Sequence, residues 1–399
     1  MKKHVFLSVV ILFALVLVSC GPKAAVEPEV CASDAYGCAK IESGQTIKIG
    51  MGSPMTGGDS AFGIDAENSG LLAVANMEPV EGFSFELVAE DDQGAAEGGA
   101  AVANKFVADP TVVAVAGHLF SGATAAAAPI YDEAGIPMLS PSATAPFLTT
   151  EGWKVFNRVP FTDKTQADVA ADYIYNTLDL KKAAVLHDGE DYGKGLATLF
   201  QESYLALGGE VVMFEGITSK EADYTPILTI IAAESPDVLY FGGYTQDGSI
   251  LTNQMKTTGL EDTVFFGCDG TYGVDFVDRA GDNANGTYHT IPRSAPDSPE
   301  KTAFNEAYMD AYGIGAGELS PYSWNSYDAT TALMTKVKEL AVKSGDALFI
   351  PRGALVDAVR GLNNYEGIGN VITCSDVGEC NALGLVIIEV VDGEFEALN

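Results

Sequence analysis

Two short turns in this chain collect hydroxyl groups at places where strands end. "GHLFSGAT" (117–124) carries Ser121, and "SPSATAP" (140–146) carries Ser142 and Thr144, each directly after an apolar run. Ser, Thr, Gly and Ala at such positions either build tight turns and helix caps or leave room for something to rest against the backbone. Three later loops add heavier groups. "HDGEDYG" (187–193) holds Tyr192, "GGYTQDG" (242–248) holds Tyr244, and "CDGTYG" (268–273) holds Asp269. Each has a plain reading beside the functional one. Asp269 before Gly270 fits turn chemistry, Tyr192 and Tyr244 fit half-exposed core aromatics, and Phe62 fits core packing.

Other groups tempt a catalytic or metal reading and do not sustain it. Asp91 and Asp92 in "EDDQG" follow a strand pattern, where Asp most often caps a turn or helix. His118 and His187 also end strands, but the chain has only 4 His and no metal-ligand spacing among them. There is no G-x-S-x-G elbow and no P-loop, and "GAAEGG" (94–99) lacks the Lys-Ser/Thr of a phosphate loop. The residue types therefore point to a binding protein, not an enzyme, with no cofactor and no metal. A formal net charge of −33 sets nucleic acid and anionic membrane surfaces aside as partners.

The elements that would position these loops alternate. Apolar strand-like runs begin at 47, 83, 111, 136, 182, 209, 236, 263 and 286, with helical patterns between them. The first half predicts helices over 61–77, with Ile64, Leu71, Leu72 and Ala75 on one face, over 95–108 and over 123–134. After "VFNRVPF" the cadence restarts with helices over 163–178, 193–207, 224–233 and 248–258. Helices over 299–312, 322–344 and 353–362 follow, and two late strands, "GNVITC" and "LGLVIIEVV", finish the chain. Repeated β–α alternation predicts parallel sheets covered by helices on both faces. In such sheets ligands sit beyond the carboxyl ends of the strands. All five loops converge there if the two halves face one another.

The N-terminus is a separate segment. Lys2, Lys3 and His4 precede an apolar stretch, Val5 to Val18, that is broken only by Ser8 and is followed by "SC" at Ser19 and Cys20. That is the layout of a signal peptide, and the stretch is short for a membrane span of ~20 residues. A small residue before Cys20 resembles a bacterial lipobox, with Cys20 as the lipidation site. Residues 21–45, rich in Ala, Pro, Glu and Gly, read as a flexible tether. Cys31 with Cys38, and Cys374 with Cys380, form two close pairs. Export favours a disulfide within each pair over metal binding. Cys268 is left over as a buried thiol.

Taken in order, "GHLFSGAT", "GIPMLSPSATAPFLT", "VLHDGEDYGKGLA", "YFGGYTQDGSIL" and "FFGCDG" resemble the periplasmic-binding-protein type I fold. They are most similar to the leucine/isoleucine/valine-binding proteins, substrate receptors of branched-chain amino-acid ABC importers. The resemblance runs from about Ile47 to Val391. It implies an α/β fold of two Rossmann-like lobes, parallel sheets flanked by helices, with a three-crossing hinge and a ligand cleft between the lobes. The first lobe would span 46–160 plus 292–368, the second 161–291 plus 369–399. Position by position, Ser121 and Thr144 match hydroxyls that hold the ligand carboxylate, and the Ser142 backbone matches a group at the polar end. Tyr244 and Asp269 match the groups near the ammonium. Phe62, Leu119, Phe120, Tyr192 and Tyr322 match the side-chain pocket. Two positions depart from the family pattern: Asp269 stands where Glu is usual, and Phe120 where familiar members have a disulfide cysteine.

The resemblance implies a monomeric, lipid-anchored receptor on the outer face of the cytoplasmic membrane or in the periplasm. It would close on a Leu/Ile/Val-like amino acid and deliver it to an ABC permease. A sensory receptor of the same fold, binding an amide or a small carboxylate, is the alternative. The physics suits the first reading. Helix N-termini offer unpaired N–H groups to a carboxylate, and an ammonium in a closed cleft needs an acid. Each buried methylene adds only about 0.8 kcal/mol, so preference among aliphatic side chains should be modest.

Overall fold

A computed structural model describes residues 25–380 and 382–398. The leader and Cys20 lie outside the described residues. One sheet has five strands in the order Phe85–Asp91, Ile47–Ser53, Val112–Val115, Met138–Ser140 and Phe156–Arg158. All its pairings are parallel. Ile47, Ile49 and Met51 are fully buried, as are Ala114 and Val115. Continuous apolar runs of this kind are what a sheet covered on both faces requires.

The second sheet has seven strands. Glu210–Gly216, Lys182–His187, Val238–Gly242, Val264–Phe266 and Tyr288–Pro292 run parallel, and Leu385–Val391 and Glu394–Leu398 extend the sheet antiparallel. The chain passes between the sheets three times: after Arg158, after Pro292, and between Cys380 and Leu385. After the second passage the helices Pro299–Tyr312, Ser323–Leu340 and Arg352–Arg360 return to the first sheet. Buried Asp65, on the helix Ser60–Ala75, fastens two of them by accepting hydrogen bonds from Tyr308, Ser320 and Ser323. Among the described residues no helix is long and apolar enough to cross a membrane.

Four sequence expectations are corrected. Within the expected tether, Glu29–Ser33 is a short helix and Cys38–Ile41 a strand that pairs antiparallel with Ala347–Pro351. The Cys31–Cys38 disulfide closes this unit, and Ala39 and Ile41 are buried in the core. The segment 371–380, assigned by sequence to the second lobe, lies against the first sheet. Its Gly378 carbonyl accepts from Arg158 N and its Cys380 N–H donates to Arg158 O, at 2.9 and 3.0 Å. The helix expected over 322–344 stops at Leu340, and Val342–Ser344 is a strand. On Ser60–Ala75 the expected inward face is turned out, with Ile64 and Leu71 about two-fifths exposed. The helix buries Phe62, Asp65, Ala66, Ser69, Gly70 and Ala73 instead. Small residues let Ser323–Leu340 approach closely, and Asp65 must reach its partners there. The second disulfide, Cys374–Cys380, is formed, and Cys268 is a free buried thiol.

Candidate ligand site between the sheets

The two hydroxyl-bearing turns of the first sheet are stitched together. Ser142 Oγ donates to Leu119 O at 2.7 Å, and Ala145 N donates to Ser121 Oγ at 3.3 Å. Beneath them His118, fully buried, links Asp92 Oδ2 at 2.7 Å and the Tyr131 hydroxyl at 2.9 Å. Its carbonyl accepts from Thr124 and Ser140. Gly52 makes room for this ring, since a Cβ there would lie 2.1 Å from it. His118 and Asp92 thus hold the turn. Asp91 accepts from Met55 N, Gln93 N and Thr56, and His187 accepts from Gly189 N, which are turn roles as well. Among the described residues no cluster of His, Cys, Asp and Glu is arranged to hold a metal ion. Ser121 opens the helix Ser121–Ala134, whose first-turn amides have no partner within the helix.

The opposite wall comes from the seven-stranded sheet. Asp269 follows the strand Val264–Phe266 at the start of a single 3-10 turn. Its Oδ1 accepts from Tyr192 Oη at 2.6 Å and from Gln166 Nε2 at 2.5 Å. Its Oδ2 accepts from Tyr322 Oη at 2.5 Å, a bond that runs between the two halves. Three further contacts span the halves or support them. Phe120 stacks on Tyr244 with centroids 3.9 Å apart, Phe62 meets Phe120 edge-on at 5.7 Å, and Asp59 accepts from Gln246 N at 3.0 Å. The halves are closed on each other.

Phe62, Leu119, Phe120, Ser121, Ser142, Thr144, Tyr192, Tyr244, Asp269 and Tyr322 all line one narrow cavity between the halves, together with Gly270. Every residue that the sequence reading placed at the site is brought there. Three neighbours were missed. Gln166 bridges Asp269 and Thr290 Oγ1. Asp163, one turn earlier, is fully buried, with its carboxylate near the Thr144 hydroxyl. Asp59 completes the contact across the cleft. Asp163, Gln166, Ala167 and Ala170 form the buried stripe of their helix. Polar residues in an otherwise apolar stripe were the available signal.

The site is acidic and buried. Burial raises the Asp269 carboxyl above its ordinary value, while hydrogen bonds from Tyr192, Tyr322 and Gln166 pull it back. Burial pushes Asp163 up to about 8; the nearby Thr144 hydroxyl lowers it, Asp269 raises it further, and Arg158 lowers it. Asp188, behind Gly243, is pushed up to about 8 by burial as well. The phenols of Tyr192, Tyr244 and Tyr322 are held protonated, mainly by burial. Such a cavity favours a positive group at the Asp269 pole, neutral hydroxyls and amides at the other, and apolar surface between.

Two facing α/β halves joined by three chain passages, with a cavity between them, define a solute-binding architecture. Residues 46–378 match the family model described as "Periplasmic binding protein". The Leu/Ile/Val/Thr-binding protein of Salmonella typhimurium is 31% identical over 331 residues, 82% of this chain and 88% of that one. A Leucine-, isoleucine-, valine-, threonine-, and alanine-binding protein of Pseudomonas aeruginosa is 34% identical over 306 residues, 76% of this chain and 79% of that one. The branched-chain amino acid transporter substrate binding protein LivJ from Streptococcus pneumoniae, solved with isoleucine, superposes with a TM-score of 0.79 at 27% identity. That match covers 89% of this chain and 99% of LivJ. The chain belongs to the periplasmic binding protein family, in the group that contains these Leu/Ile/Val-binding proteins, and has their type I fold.

Proposed function

We propose that this chain is the substrate receptor of an ABC importer and captures an aliphatic L-amino acid of the leucine, isoleucine and valine class. The observation that carries the reading is the cavity between the halves, with an acid at one pole and hydroxyls and helix amides at the other. The ligand ammonium would pair with Asp269 and the Tyr244 face. Its carboxylate would rest on Ser121, the Ser142 backbone and Thr144, and its side chain on Phe62, Leu119, Phe120, Tyr192 and Tyr322. Binding would favour the closed arrangement of lobes 46–160 plus 292–380 and 161–291 plus 382–399. The signal sequence and Cys20 support an exported lipoprotein that hands its cargo to a permease. Calorimetric titration with Leu, Ile, Val and Ala tests the reading. Saturable binding of at least one branched-chain amino acid is expected, and no heat from any of them would sink it. Cys20→Ser should release the protein from the membrane fraction.

A further inference from the structure

Arg158 ends the edge strand Phe156–Arg158, and its side chain is fully buried. Its Nη1 donates to Ala143 O at 3.2 Å and to Ala145 O at 2.8 Å, the carbonyls on either side of Thr144. In a trans peptide the N–H points opposite to the C=O. Holding Ala143 O against the guanidinium therefore turns the Thr144 N–H away from Arg158, on a residue that lines the cavity. The other edge of the guanidinium meets Glu379. Nη2 lies 2.8 Å from Oε1 and Nε 3.2 Å from Oε2, a two-pronged pair. Thr149 adds its hydroxyl to both partners. Glu379 sits on the loop closed by Cys374–Cys380, which pairs with the backbone of Arg158. Arg360 laces the base of the same loop, from Asp376 O to Trp153 O, Lys154 O and Phe156 O.

We infer that Glu379, acting through Arg158, is a positioning residue that sets the Ala143–Ala145 turn for the ligand carboxylate. This rests on the proposed amino-acid reading of the cavity. The disulfide loop is then a buttress on the open edge of the first sheet. Removing the Glu379 carboxylate leaves Arg158 free to tilt, and its hold on the two carbonyls loosens.

The test combines leucine titration with hydrogen exchange. Glu379→Ala should weaken leucine ~10-fold, in line with the loss of a charge-assisted hydrogen-bond pair. Glu379→Gln keeps an acceptor for Nη2 and Thr149 and should restore most of that loss. For leucinamide, which lacks the carboxylate, the Glu379→Ala step should shrink below ~2-fold, because the turn it sets then has no anion to hold. A purely structural role would give the same loss for both ligands and overturn the inference. Unchanged or tighter leucine binding in Glu379→Ala would overturn it too. In unliganded protein, amide exchange at 143–145 should quicken in Glu379→Ala while the helix Thr245–Met255 keeps its protection. Unchanged exchange at 143–145 would also overturn it. Should the Ala variant fail to fold, Glu379→Asp, whose carboxylate falls one methylene short of Arg158, carries the exchange arm. Absence of leucine binding to the unaltered protein would instead remove the proposed function, and the exchange result would still decide the role of Glu379.

Discussion

The two walls of the cavity are built on different principles. The first-sheet wall, from Leu119 to Ser121 and from Ser142 to Thr144, is neutral. The Ser142 hydroxyl is committed to a scaffold bond with Leu119 O, while Ser121 Oγ accepts from Ala145 N and keeps its own hydrogen to donate. The wall from the second sheet carries Asp269 with Tyr192 and Gln166 gathered on it, and Asp163 stands behind, buried. One wall is a fixed cup of dipoles. The other is a set of titratable groups whose charge state depends on what occupies the cavity. A zwitterion fits this division, since the anion needs oriented donors and the cation needs a counter-charge.

The division can be broken from either side. The largest effect is expected for Asp269→Asn, which keeps shape but removes the counter-charge. Leucine affinity should fall more than ~100-fold, consistent with about 3 kcal/mol or more for stripping one partner from a buried ion pair. Calorimetry checks this, and a change within threefold would remove Asp269 from the ammonium site. Thr144→Ala deletes one donor to a charged group and should cost ~10- to 100-fold, about 1.5–3 kcal/mol. Equal losses for leucine and for leucinamide, which lacks the carboxylate, would contradict that role.

A smaller effect concerns stability rather than affinity. The Asp163 carboxyl sits at about 8 in the folded chain against an ordinary value of 3.8. A raised acid contributes stability below its unfolded value and loses it as pH rises through the folded value. Asp188, also at about 8, Asp328 at about 7 and Asp65 at about 6 act in the same sense. The melting temperature of the unliganded protein should therefore fall between pH 5 and pH 9. Asp163→Asn should flatten that slope and raise stability at pH 9 by ~1 kcal/mol or more. A steeper slope in the variant would contradict the assignment. The least effect is expected for Phe120→Leu, which loses the stack on Tyr244 and should weaken leucine only ~3- to 10-fold.

The same contrast explains what was legible in the sequence. Residues at strand ends announced themselves, because Ser121, Thr144, Tyr192, Tyr244 and Asp269 interrupt apolar runs at a regular cadence. Asp163 and Gln166 were hidden, since they occupy the buried stripe of a helix and periodicity alone gives no reason to expect polar groups there. The face of Ser60–Ala75 was misjudged for a related reason. Ile64 and Leu71 look like core, but the close neighbour helix demands small residues, and only the packing shows it. Short strands fared worst. Cys38–Ile41 and the 371–380 loop each pair with an edge far away in sequence, and nothing in their composition names that edge.

The central claim is that both poles of an amino acid are held, one by each wall. It is tested most directly by titrating the unaltered protein with leucine, with leucinamide and with 4-methylpentanoate, which lacks the ammonium. The account predicts that both analogues bind at least ~100-fold more weakly than leucine, since each leaves one buried pole unpaired. Binding of 4-methylpentanoate as tight as that of leucine would contradict it.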